Sequence, residues 1–211
     1  MSPRGVATPD VKEQLFQAAE RVLARDGPDG LTSRAIADEA GVAKGLLFNH
    51  FADVDQFLAE LVLERSRSAA ELAASLPRRA GGGTVEGNIV GAAISLLHSH
   101  AFAVAGIVHA RPSLLGRLHE ASGHRPFAVL DDVEKSFTKY LSAERKRGRV
   151  SAESDPATCA FILVGAIHHI FMTNMVSAQD LECRLQRIVA SVLPGEAPRG
   201  RAKRFKAQTD E

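Results

Sequence analysis

The sequence predicts an all-α chain of about nine helices, with a small three-helix domain at the N-terminus and a larger helical domain behind it. Apolar residues recur at spacings of three and four along most of the length, and no strand-type alternation of useful length interrupts them. The division follows from residues 31 to 53, where two short apolar stretches flank Gly41, whereas every stretch after residue 54 is long enough for a full amphipathic or wholly apolar helix. The boundaries are therefore set at 1–53, 54–195 and a charged tail over 196–211.

The elements follow in order. Thr8 and Pro9 read as a cap with proline at the first helical position, and Val11, Leu15, Ala18, Ala19, Val22 and Leu23 then share a face until Gly27. Thr32 caps a helix from Ser33 to Ala40. Gly41 breaks it, and Val42, Leu47 and Phe51 carry the next short helix. Asp53 caps a longer helix with Gln56 at the capping-box position and Phe57, Leu58, Leu61 and Val62 on its inner stripe. Gly81, Gly82 and Gly83 form a loop. Thr84 to Ala110 reads as one apolar helix, Ser113 to Glu120 as a short one, and a stripe from Phe127 through Leu130, Val133, Phe137, Tyr140 and Leu141 as another that begins after Arg125-Pro126. Asp155-Pro156 opens a span, 157–176, without Asp, Glu, Lys or Arg; a last helix carries Leu181, Leu185, Ile188, Val189, Val192 and Leu193.

Composition narrows the functions. The chain has 211 residues, 45% hydrophobic, a net charge of +1 and two cysteines, Cys159 and Cys183, both within apolar periodic stretches and read as reduced thiols. Its first residues lack the apolar core of an export signal, which places it in the cytoplasm. Residues 1–53 hold six bases against eight acids, a formal charge of −2, so any affinity for nucleic acid depends on local placement of charge.

One segment is diagnostic. Thr32, Ile36-Ala37, Ala40-Gly41-Val42, Lys44-Gly45, Leu47, Phe48 and His50-Phe51 stand at one fixed spacing, and the run 31–62 resembles the N-terminal domain of the TetR family of bacterial repressors. The resemblance implies a homeodomain-like helix-turn-helix domain followed by a ligand-binding and dimerisation domain, with double-stranded DNA carrying a pseudo-palindromic operator and a small molecule as partners, no cofactor and no catalytic residues. The residues themselves agree: Ala35, Ile36, Ala40, Val42, Leu47 and Phe51 form a small core that leaves the second helix a polar outer face for a major groove. The expected DNA-binding residues are Thr32, Ser33, Arg34, Lys44, Gly45, Phe48, Asn49 and His50: Lys44 to guanine, Asn49 to a base edge or phosphate, Phe48 against a thymine methyl, and the others at the backbone. Relatives usually carry Ser, Thr, Tyr and Lys where this chain has Ala43, Leu46, Phe48 and Val54. Those losses weaken the backbone anchor, for which Arg199, Arg201, Lys203, Arg204 and Lys206 of the basic tail are a candidate substitute, although the tail reads first as a solvated, flexible and disordered end.

The larger domain is less legible. The uncharged helix, with Gly165 allowing close approach, is expected to pair with the last helix in a four-helix dimer interface built from Phe161, Gly165, Met172, Leu185, Ile188 and Val192. A membrane span is disfavoured because His168, His169, Thr173 and Asn174 interrupt it and no basic flank adjoins it. A ligand is expected among the helices over 84–141, with His98, Phe102, His109, Phe127, Phe137, His168 and Phe171 as liners, each of which serves equally as plain core. Seven of the eight histidines lie beyond residue 97, yet neither His98 with His100 nor His168 with His169 shares a helix face, so no metal is assigned. An enzyme built on Asp131, Asp132 or Glu134 lacks any nucleophile motif, phosphate loop or HExxH. The favoured function is a ligand-responsive transcriptional regulator, a repressor released by its ligand; the alternative is a binding module of the same fold with weakened DNA affinity.

Overall fold

The computed structural model describes residues 10–122, 128–173 and 178–193. Thr8, Pro9, Arg125, Pro126, Phe127 and the tail over 196–211 lie outside these residues, as does the side chain of Phe102. Ten α-helices and no strand are present among the described residues: α1 (Val11–Asp26), α2 (Ser33–Ala40), α3 (Leu46–His50), α4 (Val54–Ala74), α5 (Val85–Leu97), α6 (His100–Ala110), α7 (Leu114–Ala121), α8 (Ala128–Lys146), α9 (Pro156–Thr173) and α10 (Ala178–Val192).

Local chemistry accounts for most of the ends. Asp10, not Thr8, caps α1, its carboxylate accepting from the Lys12 amide at 3.0 Å. Thr32 Oγ1 accepts from the Ala35 amide at 3.1 Å and starts α2. Gly41 ends α2 at φ 69°, ψ 31°, a left-handed conformation that a β-carbon resists. Asp53 accepts from the Gln56 amide, while the Gln56 side chain reaches back to the Ala52 amide, both at 2.8 Å. The stretch 84–110 is two helices where one was expected, which supplies the tenth. Ser99 turns extended and its hydroxyl donates to the Leu96 carbonyl at 2.6 Å, ending one ladder before α6 begins another. Apolar spacing continues across that break, so periodicity alone could not reveal it.

Two cores result. The first joins α1, α2, α3 and the front of α4, where Phe16, Phe51 and Phe57 stack mutually, with ring centroids 5.0 Å apart for Phe51 and Phe57 and 5.4 Å for Phe16 and Phe57. Val104 and Ile107 of α6, with Leu114 and Leu118 of α7, complete it from far along the chain. The second joins the back of α4 (Ala69, Ala73) to α5, α8, α9 and α10 around Phe137, Tyr140 and Leu163. By length and composition α9 could cross a membrane, with mean hydropathy 1.5; in this fold it packs on α8, α10 and α5, and 39% of that span is buried.

The Gly81–Gly83 loop is pinned beneath by Glu144, which has no exposed surface. Its Oε1 accepts from the Gly81 amide at 3.0 Å, Arg149 lies 3.5 Å from Oε2, and Asn88 bridges the Gly82 carbonyl and the Tyr140 hydroxyl at 2.8 and 3.0 Å. Burial, chiefly, pushes the Tyr140 hydroxyl above its usual pKa, so it stays a neutral partner in this cluster.

Candidate nucleic-acid interface and ligand cavity

The helix-turn-helix is held from behind by α1. Gln14 donates to the Ala40 carbonyl at 2.9 Å, and Arg21 and Arg25 both reach Glu39 at 2.7 Å. Hydrogen bonds from Arg21 and then Arg25 hold the Glu39 carboxyl below the ordinary glutamate range. Leu47 is fully buried, and this single side chain anchors the five-residue α3. The residues on either side of it then face water: Ala43, Lys44, Gly45, Phe48, Asn49 and His50 are exposed, and Leu46 is half-buried. Lys44 and Gly45 stand in the turn before α3 and not on the helix itself, a shift from the expected placement that follows from how late α3 begins. Thr32 and Arg34 are exposed and Ser33 is half-buried.

Charge at this surface is committed unevenly. Lys12 is bound by Glu60 at 2.7 Å, Arg21 and Arg25 by Glu39, and Arg34 stands 3.6 Å from Asp38. The Arg34 pair is highly exposed and therefore weak. Lys44 has no ion-pair partner among the described residues, which leaves it and the loosely held Arg34 as the cations most available to an anionic ligand.

The sequence reading missed the polar ties between the front of the molecule and the helices behind it. Arg111, at the end of α6, donates to the Leu31 carbonyl at 2.6 Å and lies 3.6 Å from Asp55. Arg117 of α7 donates to Asp53, the cap of α4, and Ser113 donates to Asp55. On the other flank Arg65 of α4 bonds Glu20 at 2.6 Å and Glu13 at 2.9 Å, while His100 Nδ1 stands 2.8 Å from Glu20. The Arg65 hydrogen bond is the largest cause holding the Glu13 carboxyl below its ordinary pKa. No local pattern signals such pairs, because the partners lie far apart in sequence.

A cavity of about 90 Å³ opens between α4, α5, α6, α8 and α9. It is lined mainly by aliphatic side chains such as Val62, Leu96, Val133, Val164 and Ile167, with Phe171 and Met172, and its polar groups are Ser66, His109 and His168. The lining contains no Asp, Glu, Lys or Arg. It reaches past the expected span of 84–141 into α4 and α9. Of the expected liners, His109, His168 and Phe171 are present. His98 instead caps α5 and is exposed, and Phe137 is fully buried in the second core; Phe127 and the Phe102 side chain lie outside the described residues.

The outer face of α9 carries exposed Phe161 (66%), Ile162 (46%), Gly165 and Met172 (41%) at helical spacing. Leu185 was expected beside them but is 2% exposed. It belongs to the chain's own second core, because α10 turns its apolar stripe inward onto α5 and α9. Ile188 and Val192 are half-buried against the same core.

Comparison with known proteins agrees with this geometry. Residues 15–61 match the family described as bacterial regulatory proteins, tetR family. An uncharacterised HTH-type transcriptional regulator of Haemophilus influenzae is 37% identical over 54 residues, which is 26% of this chain and 29% of that relative's length. A protein from Mesorhizobium loti assigned to the TetR-family transcriptional regulators superposes with a TM-score of 0.67 at 20% identity, over 89% of this chain and 97% of that one. The complex of SmeT with triclosan superposes with a TM-score of 0.61 at 17% identity, over 86% and 88%; SmeT is the repressor of the multidrug efflux pump SmeDEF of Stenotrophomonas maltophilia. At these identities the structures speak for the fold.

Proposed function

We propose that the chain, whose residues 15–61 match the TetR family of bacterial regulatory proteins, is a cytoplasmic, homodimeric DNA-binding regulator, a repressor released from a pseudo-palindromic operator by a small molecule. The observation that carries the reading is the outward face of α3, fixed to the fold by Leu47 and presenting Phe48, Asn49 and His50 beside Lys44 and Gly45. In this reading that face enters the major groove while Thr32, Ser33 and Arg34 hold the backbone.

The dimer in this reading is formed chiefly by α9, because Phe161, Ile162 and Met172 leave an apolar stripe in water that a second copy would cover. Two heads about 34 Å apart then address successive major grooves. The ligand is a compact, largely apolar molecule without a formal charge that needs a countercharge, oriented by hydrogen bonds from Ser66, His109 or His168. SmeT, bound to triclosan, offers a precedent within the fold.

Coupling runs through helices that touch both places. The cavity is lined by Ala101, Val108 and His109 of α6, while Val104 and Ile107 of the same helix are buried in the core of the head. Likewise α4 lends Val62, Ser66 and Ala69 to the cavity and Asp53 caps its first turn. A ligand that moves α6 and α4 moves the domain over 1–53 relative to that over 54–195, and so changes the separation of two heads.

Selection of bound fragments from genomic DNA by the full-length chain tests the reading. Enrichment of pseudo-palindromic sites supports it, and recovery indistinguishable from input contradicts it. The second reading, a module of this fold with weakened DNA affinity, is favoured by the residues Ala43, Leu46, Phe48 and Val54 and by the carboxylates that occupy Lys12, Arg21 and Arg25; the same absence of enrichment would favour it.

A further inference from the structure

We infer that the cavity is completed by a second copy of the chain: Phe161 of one copy closes the cavity mouth of the other at Met172, so that filling the cavity and forming the dimer assist one another. The inference rests on the proposed dimer and ligand site, and adds to them a residue supplied in trans.

The cavity and the exposed stripe of α9 share an edge. Val164, Ile167, His168, Phe171 and Met172 are the α9 residues in the lining, whereas Phe161, Ile162 and Gly165 stand outside it. At about 100° per residue, Phe161, Gly165, His168 and Met172 fall within about 60° of one another, and Val164, Phe171 and Ile167 continue round the same side over about the next 100°. Met172 therefore belongs to both surfaces, which accounts for a lining residue that is 41% exposed. Of the described lining residues, Met172 and His109 are the exposed ones, so one lip of the mouth lies on the stripe.

A second copy is the occupant that this stripe suits. In an isologous contact a charged residue near the two-fold axis meets its own like charge, and α9, 18 residues long, contains no Asp, Glu, Lys or Arg. Phe161, 66% exposed, lies at one end of the stripe and Met172 at the other; Gly165, near the middle, has nothing within 4 Å of where a β-carbon would stand. Two-fold symmetry about that middle sets the Phe161 end of each helix against the Met172 end of the other, with the backbones free to approach at Gly165. The ring of Phe161 then covers the mouth and shields a bound molecule from water. Within its own chain Phe161 is not a lining residue, so any effect it has on binding comes from the other copy.

The test uses the full-length chain and indole, a neutral, largely apolar probe whose own fluorescence can be read because the chain has no tryptophan. In equilibrium dialysis, at concentrations where both proteins are dimeric, wild type should bind indole about tenfold more tightly than Phe161→Ala. Phe161→Glu should sediment as a monomer and bind as weakly. By reciprocity, saturating indole should tighten wild-type self-association by about a hundredfold, tenfold for each of two sites. Supply in trans is read by co-expressing Phe161→Ala with Ser66→Phe, which fills its own cavity and keeps Phe161; the mixed dimer should recover the tight site that neither variant shows alone. Circular dichroism checks that each variant folds, and the Phe161→Ala comparison stands without Ser66→Phe. Equal indole affinity in wild type and Phe161→Ala would overturn the inference. So would a tight site in the Phe161→Glu monomer, or self-association that indole leaves unchanged. If wild type takes up no indole the ligand site itself fails, and if it sediments only as a monomer the dimer fails; both differ from a dimer that binds indole without help from Phe161.

Discussion

The head and the cavity are built on opposite plans within one chain. The head is stitched by charge across elements, with Lys12 to Glu60, Arg21 and Arg25 to Glu39, and Arg65 to Glu13 and Glu20. The cavity is lined mainly by aliphatic residues, with three polar groups and no Asp, Glu, Lys or Arg. Directional pairs suit a head that must keep one shape, and apolar packing suits a site that must admit a guest and yield. α6 and α4 belong to both, so the plastic region acts on the rigid one through shared helices and not through a linker.

The contrast can be broken most severely at Leu47. Leu47→Ala should cost about 2 to 5 kcal/mol by leaving a void under α3, and chemical denaturation would measure it; a loss below about 1 kcal/mol would mean that α3 is not held by this contact. Arg65→Met comes next. Its side chain is 12% exposed between two glutamates, and leaving Glu20 without that partner should cost about 2 to 4 kcal/mol, with Glu20→Gln in the same protein recovering part of the loss. Thr32→Ala removes the cap of α2 and should cost about 1 kcal/mol, again read by denaturation.

Acid should separate the two regions. Behind the head one carboxyl group among the described residues, that of Asp155, is held below its ordinary value by hydrogen bonds from Thr158, whereas two in the head, those of Glu13 and Glu39, are held below the ordinary value of 4.5 in the folded state. Their stabilising contribution is therefore complete above about that pH and is lost as pH falls through the lowered values. Titration below pH 4.5, followed by fluorescence of a probe on α1 and another on α8, should show the α1 probe responding first. Simultaneous transitions would mean the head has no acid lability of its own. The smallest effect is on DNA: Val54→Lys adds a cation at the first residue of α4 and, in the proposed reading, should steepen the salt dependence of binding by about 0.9 in log–log slope.

Legibility followed the same division. The helix-turn-helix could be read because its requirements are local: Thr32 must cap, Gly41 must turn left-handed, and Leu47 must point inward soon after that turn. The exposure of Lys44, Phe48, Asn49 and His50 follows from that short geometry. What escaped were features decided at a distance or by a hydroxyl. Ser99 splits a helix whose apolar spacing runs on unbroken, Leu185 faces its own core because α10 packs on α5, and Arg111 finds Leu31 across 80 positions. His98 and Phe137 carried the right chemistry for a cavity, yet which face of a helix meets an opening depends on the packing of α4, α5, α6, α8 and α9 together.

The central claim is that two copies of α3 address one duplex from the same side. Hydroxyl-radical footprinting of the full-length chain on its enriched duplex measures this directly. Two protected patches centred about one helical turn apart, both weakened in an Asn49→Ala protein, are the predicted result; a single protected patch, or a pattern that Asn49→Ala leaves unchanged, would contradict it.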